Sequence, residues 1–175
     1  MEGSLPKALE ETALATHTWM GESIKVALRF REAFWRKGAT SGSIFSNVGP
    51  ISEMYDHSPQ NGQGSALKGF MNGAYHSATK EQRLNLILGQ LSRYYGEKAK
   101  SYAEYHETIW SKEAFTYTPY EGYILPHQNN GAAIFREPQW DNQFYIASSE
   151  TAAEFPGYMD GAVSRALEVA GQIHL

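Results

Sequence analysis

The chain has 175 residues, enough for one domain with its own core, and 42% hydrophobic against 19% charged residues reads as globular, not disordered. A net charge of −4 gives no long-range attraction to nucleic acid or to an anionic membrane. Cysteine is absent, which excludes disulfides, thiolate catalysis, thiolate-bound zinc and thioether-linked groups, and fits a reducing, cytoplasmic setting. Met1-Glu2-Gly3-Ser4-Leu5-Pro6 has no basic stretch or apolar run of a secretory signal, and no apolar run approaches the roughly 20 residues that span a bilayer.

In chain order, residues 4–14 predict a short helix, with Ser4 as cap, Pro6 in the first turn and Leu5, Leu9 and Ala13 on one face. Ile24, Val26, Leu28 and Phe30 alternate with Lys25, Ala27 and Arg29, the pattern of a half-buried strand. Short strands are expected at Gly42–Ser46, Ile51–Tyr55 and Ala66–Met71, with a loop over Ser58–Ser65. Thr79-x-x-Gln82 is a capping box that opens the clearest helix. Its face is Leu84, Ile87, Leu88 and Leu91, and Gly96 terminates it.

Tyr102–Trp110 fits a strand better than a helix because of Tyr105 and the pair Thr108-Ile109. Thr116–Gly131, rich in Tyr, Pro, Gly and Asn, is irregular, and Gln143–Ala147 reads as a strand. A last helix begins near Gly157 with an apolar stripe of Met159, Ala162, Val163, Ala166, Ala170 and Ile173. The mixture of β and α pieces predicts an α+β domain with a mixed sheet and flanking helices.

Several motifs are missing. Gly62-Gln63-Gly64-Ser65-Ala66-Leu67 breaks the G-x-G-x-x-G pattern at its last position, and Gly38-Ala39-Thr40-Ser41-Gly42 has Thr where a nucleophile elbow needs Ser. The six histidines lack metal-ligand spacing, and Asp56-His57 reads as a satisfied or solvated loop pair.

The strongest signal runs continuously from Tyr145 to Val163: Tyr-Ile-Ala-Ser-Ser-Glu-Thr-Ala-Ala-Glu-Phe-Pro-Gly-Tyr-Met-Asp-Gly-Ala-Val. It resembles the closing segment of the flavin monoamine oxidases, a strand, Gly-Thr-Glu-Thr-Ala, a turn, and Gly-Tyr-Met-Asp/Glu-Gly-Ala leading a helix. Ser148 departs from the usual Gly. Thr18-Trp19-Met20-Gly21 through Lys25, Phe34-Trp35-Arg36 and Ser41-Gly42 are similar to a second segment of that family. Trp110-Ser111-Lys112-Glu113 and the Tyr-rich loop holding Tyr120 resemble a third.

The resemblance implies a single domain over 1–175, with 1–140 like the substrate domain and 141–175 like the segment that completes the FAD-binding domain. It implies oxidation of a small amine to an imine with hydride transfer to FAD. Tyr120 and Tyr158 would flank the amine as catalytic-site aromatics, while Ser149, Glu150, Gly157, Tyr158, Met159 and Trp110 would face the cofactor. Pro119 stands where some members carry a flavin-linking Cys, so the FAD would be non-covalent. No role is carried onto Lys25.

The residues themselves support part of this. A helix starting at Gly157 presents free N–H groups and a positive dipole end, suited to the negative charge of a reduced flavin. The plainer reading is a strand–loop–helix connection in which Gly157 only turns the chain.

The nucleotide-binding fingerprint of such enzymes is absent. The chain is therefore expected to be inactive alone, with a separate FAD-binding polypeptide as partner and self-association covering an exposed apolar face. The alternative is a non-catalytic binding or assembly module.

Overall fold

The computed structural model describes residues 5–18, 20–37, 40–60, 64–120 and 122–173. Two compact units emerge, one made of Met20–Tyr117 and the other of Met1–Trp19 with Thr118–Leu175.

The Met20–Tyr117 unit is a five-stranded sheet with one long helix. Its strands are β1 (Ile24–Phe30), β2 (Ile44–Phe45), β3 (Ile51–Asp56), β4 (Ser65–Met71) and β5 (Tyr102–Ile109), in the order β2-β3-β4-β1-β5. The α+β class is as expected, and each of the four pairings of the sheet expected to be mixed is antiparallel. β1 sits between β4 and β5, with Leu28 opposite Leu67 on one side and Tyr105 on the other.

Alternation decides the two faces. Ile24, Val26, Leu28 and Phe30 are buried to 2% exposure or less, and they join Leu67, Met71, Ile51 and Met54 in one cluster.

Helix α2 (Lys80–Tyr95) covers that face with Ile87 and Leu91. Its capping box forms as expected: Thr79 Oγ accepts from Gln82 N, and Gln82 Oε1 accepts from Thr79 N. Gly96 ends it at φ 72°, a left-handed conformation that suits glycine. Buried Gln90 ties the helix to β3: its Oε1 accepts from Ile51 N at 2.8 Å, and its Nε2 donates to Ile51 O and Val48 O.

A buried ion pair adds a second tie. Arg83 Nε donates to Glu107 on β5 at 2.9 Å, and the two side chains are 4% and 8% exposed. The Arg83 bond holds Glu107 below the usual carboxylate range. Burial, and then the hydrogen bond it gives Glu107, push the Tyr105 hydroxyl upward.

The Phe34-Trp35-Arg36 segment is a 3-10 turn whose Trp35 is fully buried. Asp56 accepts from Trp35 Nε1 (2.9 Å), Arg36 Nε (2.6 Å) and Ser58 N (2.9 Å). Burial alone would raise this carboxyl, but those bonds outweigh it and hold it far below its ordinary value. Gly42 is required beside it, because a Cβ there would lie 2.5 Å from Asp56 Cβ and 3.0 Å from the Trp35 ring.

In the other unit, α1 spans Lys7–Leu14 with Pro6 as its N-cap residue, one position earlier than the first-turn place expected. The expected cap, Ser4, lies outside the described residues. Helix α3 spans Met159–Gln172.

Two expectations fail in this unit. Gln143–Ala147 forms no strand: among the described residues only a single bridge, Gln139 to Phe144, is made. The apolar stripe of α3 is also not its buried side. Gly161, Arg165 and Val169 are buried, while Met159, Val163 and Leu167 are 88%, 61% and 69% exposed. Gly161 allows the close approach, since a Cβ would fall 2.3 Å from Phe155 O. Arg165 satisfies Ile146 O from Nε at 3.1 Å and pairs with Glu168 at 2.9 Å. Backbone carbonyls, rather than apolar contacts, select the inner face of this helix.

Candidate functional site

The loop 125–131 organises the candidate site. His127 and Asn129 adopt left-handed φ of 61° and 62°, a region in which Asn and His are among the commoner non-glycine residues. Gln128 Nε2 and Asn129 Nδ2 both donate to Ala15 O, the carbonyl just past α1. His17 N donates to Gln128 O at 3.3 Å. Gly131 N donates to Glu150 O at 2.7 Å, which joins the loop to the 149–151 turn.

Both tyrosines expected to flank an amine rest on histidines tied into this loop. Tyr120 stacks on His17 with centroids 5.9 Å apart and a 25° interplanar angle, and its hydroxyl accepts from Thr18 N at 2.9 Å. Tyr158 stacks on His127 at 6.0 Å and 13°, and it stays 49% exposed. Sequence reasoning missed both histidines because neither lies at a meaningful spacing from its tyrosine.

The expected cofactor-facing residues gather around the start of α3. Gly157 N donates to Ser149 O at 2.9 Å, and Ser149 Oγ donates to the Glu150 carboxylate at 3.0 Å. Gly157 has φ 83°, and a Cβ there would press to 3.0 Å from Asn130 Nδ2. Helix α3 begins at Met159 rather than Gly157. Its N-cap residue, Tyr158, gives no side-chain cap, so the first amides of the helix have no capping side chain. Trp110 belongs to the sheet unit, where it opens a 3-10 turn, donates to Ser23 O and is 37% exposed.

One further group emerges only from the structure. Lys25 is half-buried on β1, with Nζ 3.3 Å from the Phe70 ring centroid. Burial and then the charge of Lys68 push its pKa down, opposed by Glu53. A lysine shifted this way is a functional candidate that periodicity could not reveal.

Residues 3–174 match the family described as flavin containing amine oxidoreductase. The chain belongs to this family. It is 30% identical over 175 residues to a probable flavin-containing monoamine oxidase A of Dictyostelium discoideum, covering 97% of this chain and 38% of that protein. It is 29% identical to the flavin-containing amine oxidase B of Sus scrofa, covering 97% and 34%. A solved putrescine oxidase variant superposes with a TM-score of 0.79 at 27% identity, over 97% of this chain and 38% of that one. The cyclohexylamine oxidase of Brevibacterium oxydans shares the fold, with a TM-score of 0.72 at 23% identity. The chain thus spans about a third of the length of the curated relatives it matches.

Membership of the flavin amine oxidase family implies a flavin, and the residues around α3 fit one. Among the described residues, Asn130 Oδ1 beside Gly157, and His17 Nδ1 past α1, are buried with no hydrogen-bond partner, so polar capacity remains for a ligand. The uncapped α3 start suits a group that becomes anionic. Among the described residues no helix is long and apolar enough to cross a membrane, and no metal-ligating cluster occurs.

Proposed function

We propose that this chain forms the substrate-domain and closing part of a flavin-dependent amine oxidase that converts a small amine to an imine. The observation that supports it most is the pairing of Tyr120 and Tyr158 with histidines fastened to one loop, beside an uncapped helix start. FAD, when bound, accepts the hydride and passes the electrons to oxygen.

The chain's own residues would do the rest. The faces of Tyr120 and Tyr158 orient the amine and favour its cationic form on approach. The first amides of α3 favour negative charge on the flavin. Ser149, Glu150, Gly157 and Met159 shape the cofactor side, and Trp110 is a further candidate there. Pro119, in place of a linking Cys, makes the cofactor non-covalent.

In this reading 141–175 completes a FAD-binding domain whose nucleotide half comes from elsewhere, as a separate polypeptide or as more of the same one. The isolated 175 residues would then not turn over, and they would self-associate through the exposed side of α3. A cytoplasmic setting is the default placement in this reading. Incubating the isolated chain with FAD and a panel of primary amines tests this: no hydrogen peroxide is expected. Amine-dependent peroxide from the chain alone would overturn the requirement for a second part.

A further inference from the structure

Tyr158 stands where its own segment does little to fix its ring. It is the N-cap residue of α3, with extended backbone at φ −111° and ψ 162°, and it follows Gly157 at φ 83°. The residue is 49% exposed. A half-exposed ring beside a glycine takes its orientation from what packs against it, because several staggered rotamers are open to it. His127 packs against this one: the two rings lie 13° from parallel with centroids 6.0 Å apart, an offset stack.

His127 is itself held firmly. Its carbonyl accepts from Asn130 N at 3.0 Å, and the Leu125 carbonyl accepts from Gln128 N at 2.9 Å, so the residue sits within two overlapping turns. Both turns are tied down, by the Gln128 and Asn129 side chains donating to Ala15 O and by Gly131 N donating to Glu150 O. Asn130 Nδ2 lies 3.3 Å from His127 Nδ1 and holds the imidazole by its edge, while the face of the ring lies on Tyr158. Gly157 makes room for this pair, since a Cβ there would fall 3.0 Å from Asn130 Nδ2 and 3.6 Å from His127 Nδ1.

The chain uses the same device twice. Tyr120 stacks on His17 at 5.9 Å and 25°, and His17 N donates to Gln128 O of the same loop. An imidazole suits such a place better than an aliphatic side chain. It offers a flat face to a ring and a polar edge to an amide, and it adopts the left-handed φ of 61° more readily than most residues.

We propose that His127 is a positioning residue, whose imidazole, held by Asn130, sets the plane of the Tyr158 ring at the start of α3 and thereby the geometry in which the amine is oxidised. The last link rests on the amine oxidase reading; the link from His127 to Tyr158 does not. In this assignment His127 acts only through Tyr158 and handles no proton of the reaction.

Two variants separate the ring from the backbone. His127→Asn keeps a residue that tolerates the left-handed φ and removes the flat ring, and His127→Phe restores a ring. In the natural flavoprotein carrying each variant, His127→Asn is expected to lower kcat and kcat/KM for amine oxidation together by about fivefold, with flavin content unchanged. His127→Phe recovers most of the loss. Wild-type kcat in His127→Asn, a His127→Phe as slow as His127→Asn, or loss of flavin from His127→Asn would overturn the proposal. Nuclear magnetic resonance of the unmodified 175-residue chain, with labelled histidine and tyrosine, keeps the test open where a variant fails to fold. A cross-peak between the His127 and Tyr158 ring protons is expected, and its absence would also overturn the proposal. A natural protein that oxidises no amine would sink the oxidase reading, and the cross-peak would still decide whether His127 sets the Tyr158 ring.

Discussion

The two units of this chain solve the problem of stability differently. The sheet unit gathers fourteen buried apolar residues into one cluster under α2. The other unit buries only Leu9, Phe135, Ala152 and Val169 among its described apolar residues, and holds its loops by hydrogen bonds to backbone carbonyls. It leaves Phe155, Met159, Val163 and Leu167 exposed along one stretch. A unit stabilised by its own interior is specified by its own sequence. A unit that turns its apolar helix face outward draws less of its stability from its own interior.

The sharpest way to break this contrast is to remove Glu107. Glu107→Ala leaves the Arg83 guanidinium buried without its partner and should cost about 3–5 kcal/mol, read from urea unfolding followed by the buried Trp35. A cost under about 1 kcal/mol would mean that this interior does not govern the unit's stability. Next in size, Leu28→Ala in the sheet core should cost about 2–5 kcal/mol, and Leu167→Ala on α3 less than about 0.5 kcal/mol in the isolated chain. Similar losses at the two sites would erase the distinction.

The smallest effect is acid sensitivity. Asp56 has its folded pKa depressed, so its contribution is fully present above the ordinary carboxylate range and is lost as pH falls below about 4 toward the folded value. The melting temperature of the wild type should therefore drop more steeply below that pH than that of Asp56→Asn. Parallel curves would show that the Trp35–Asp56–Arg36 contact does not stabilise the unit.

The same contrast explains what the sequence made legible. The alternation of Ile24–Phe30 and the Thr79–Gln82 capping box are local signals, and the sheet unit realises both. Gln143–Ala147 has strand composition, but a strand exists only with a ladder partner, and only Gln139 supplies a bridge. Periodicity found the apolar side of α3 but could not say which way it faces. That depends on Gly161 meeting Phe155 O and on Arg165 reaching Ile146 O.

At the candidate site, the Gly157-Tyr158-Met159 start of α3 was visible as a motif. His17 and His127 were not, because stacking pairs separated by 103 and 31 positions leave no local trace. Lys25 stayed hidden for a related reason: its half-burial over Phe70 exists only once β1 and β4 pair.

The proposed role of this chain is to work on a flavin that takes electrons from an amine. The most direct measurement is the visible spectrum of the protein purified from the cells that naturally make it, titrated anaerobically with amines. Flavin absorption that bleaches on adding an amine and returns with air is expected, with trichloroacetic acid releasing all of the flavin because none is covalently held. A colourless protein, or flavin bands that no amine bleaches, would contradict it.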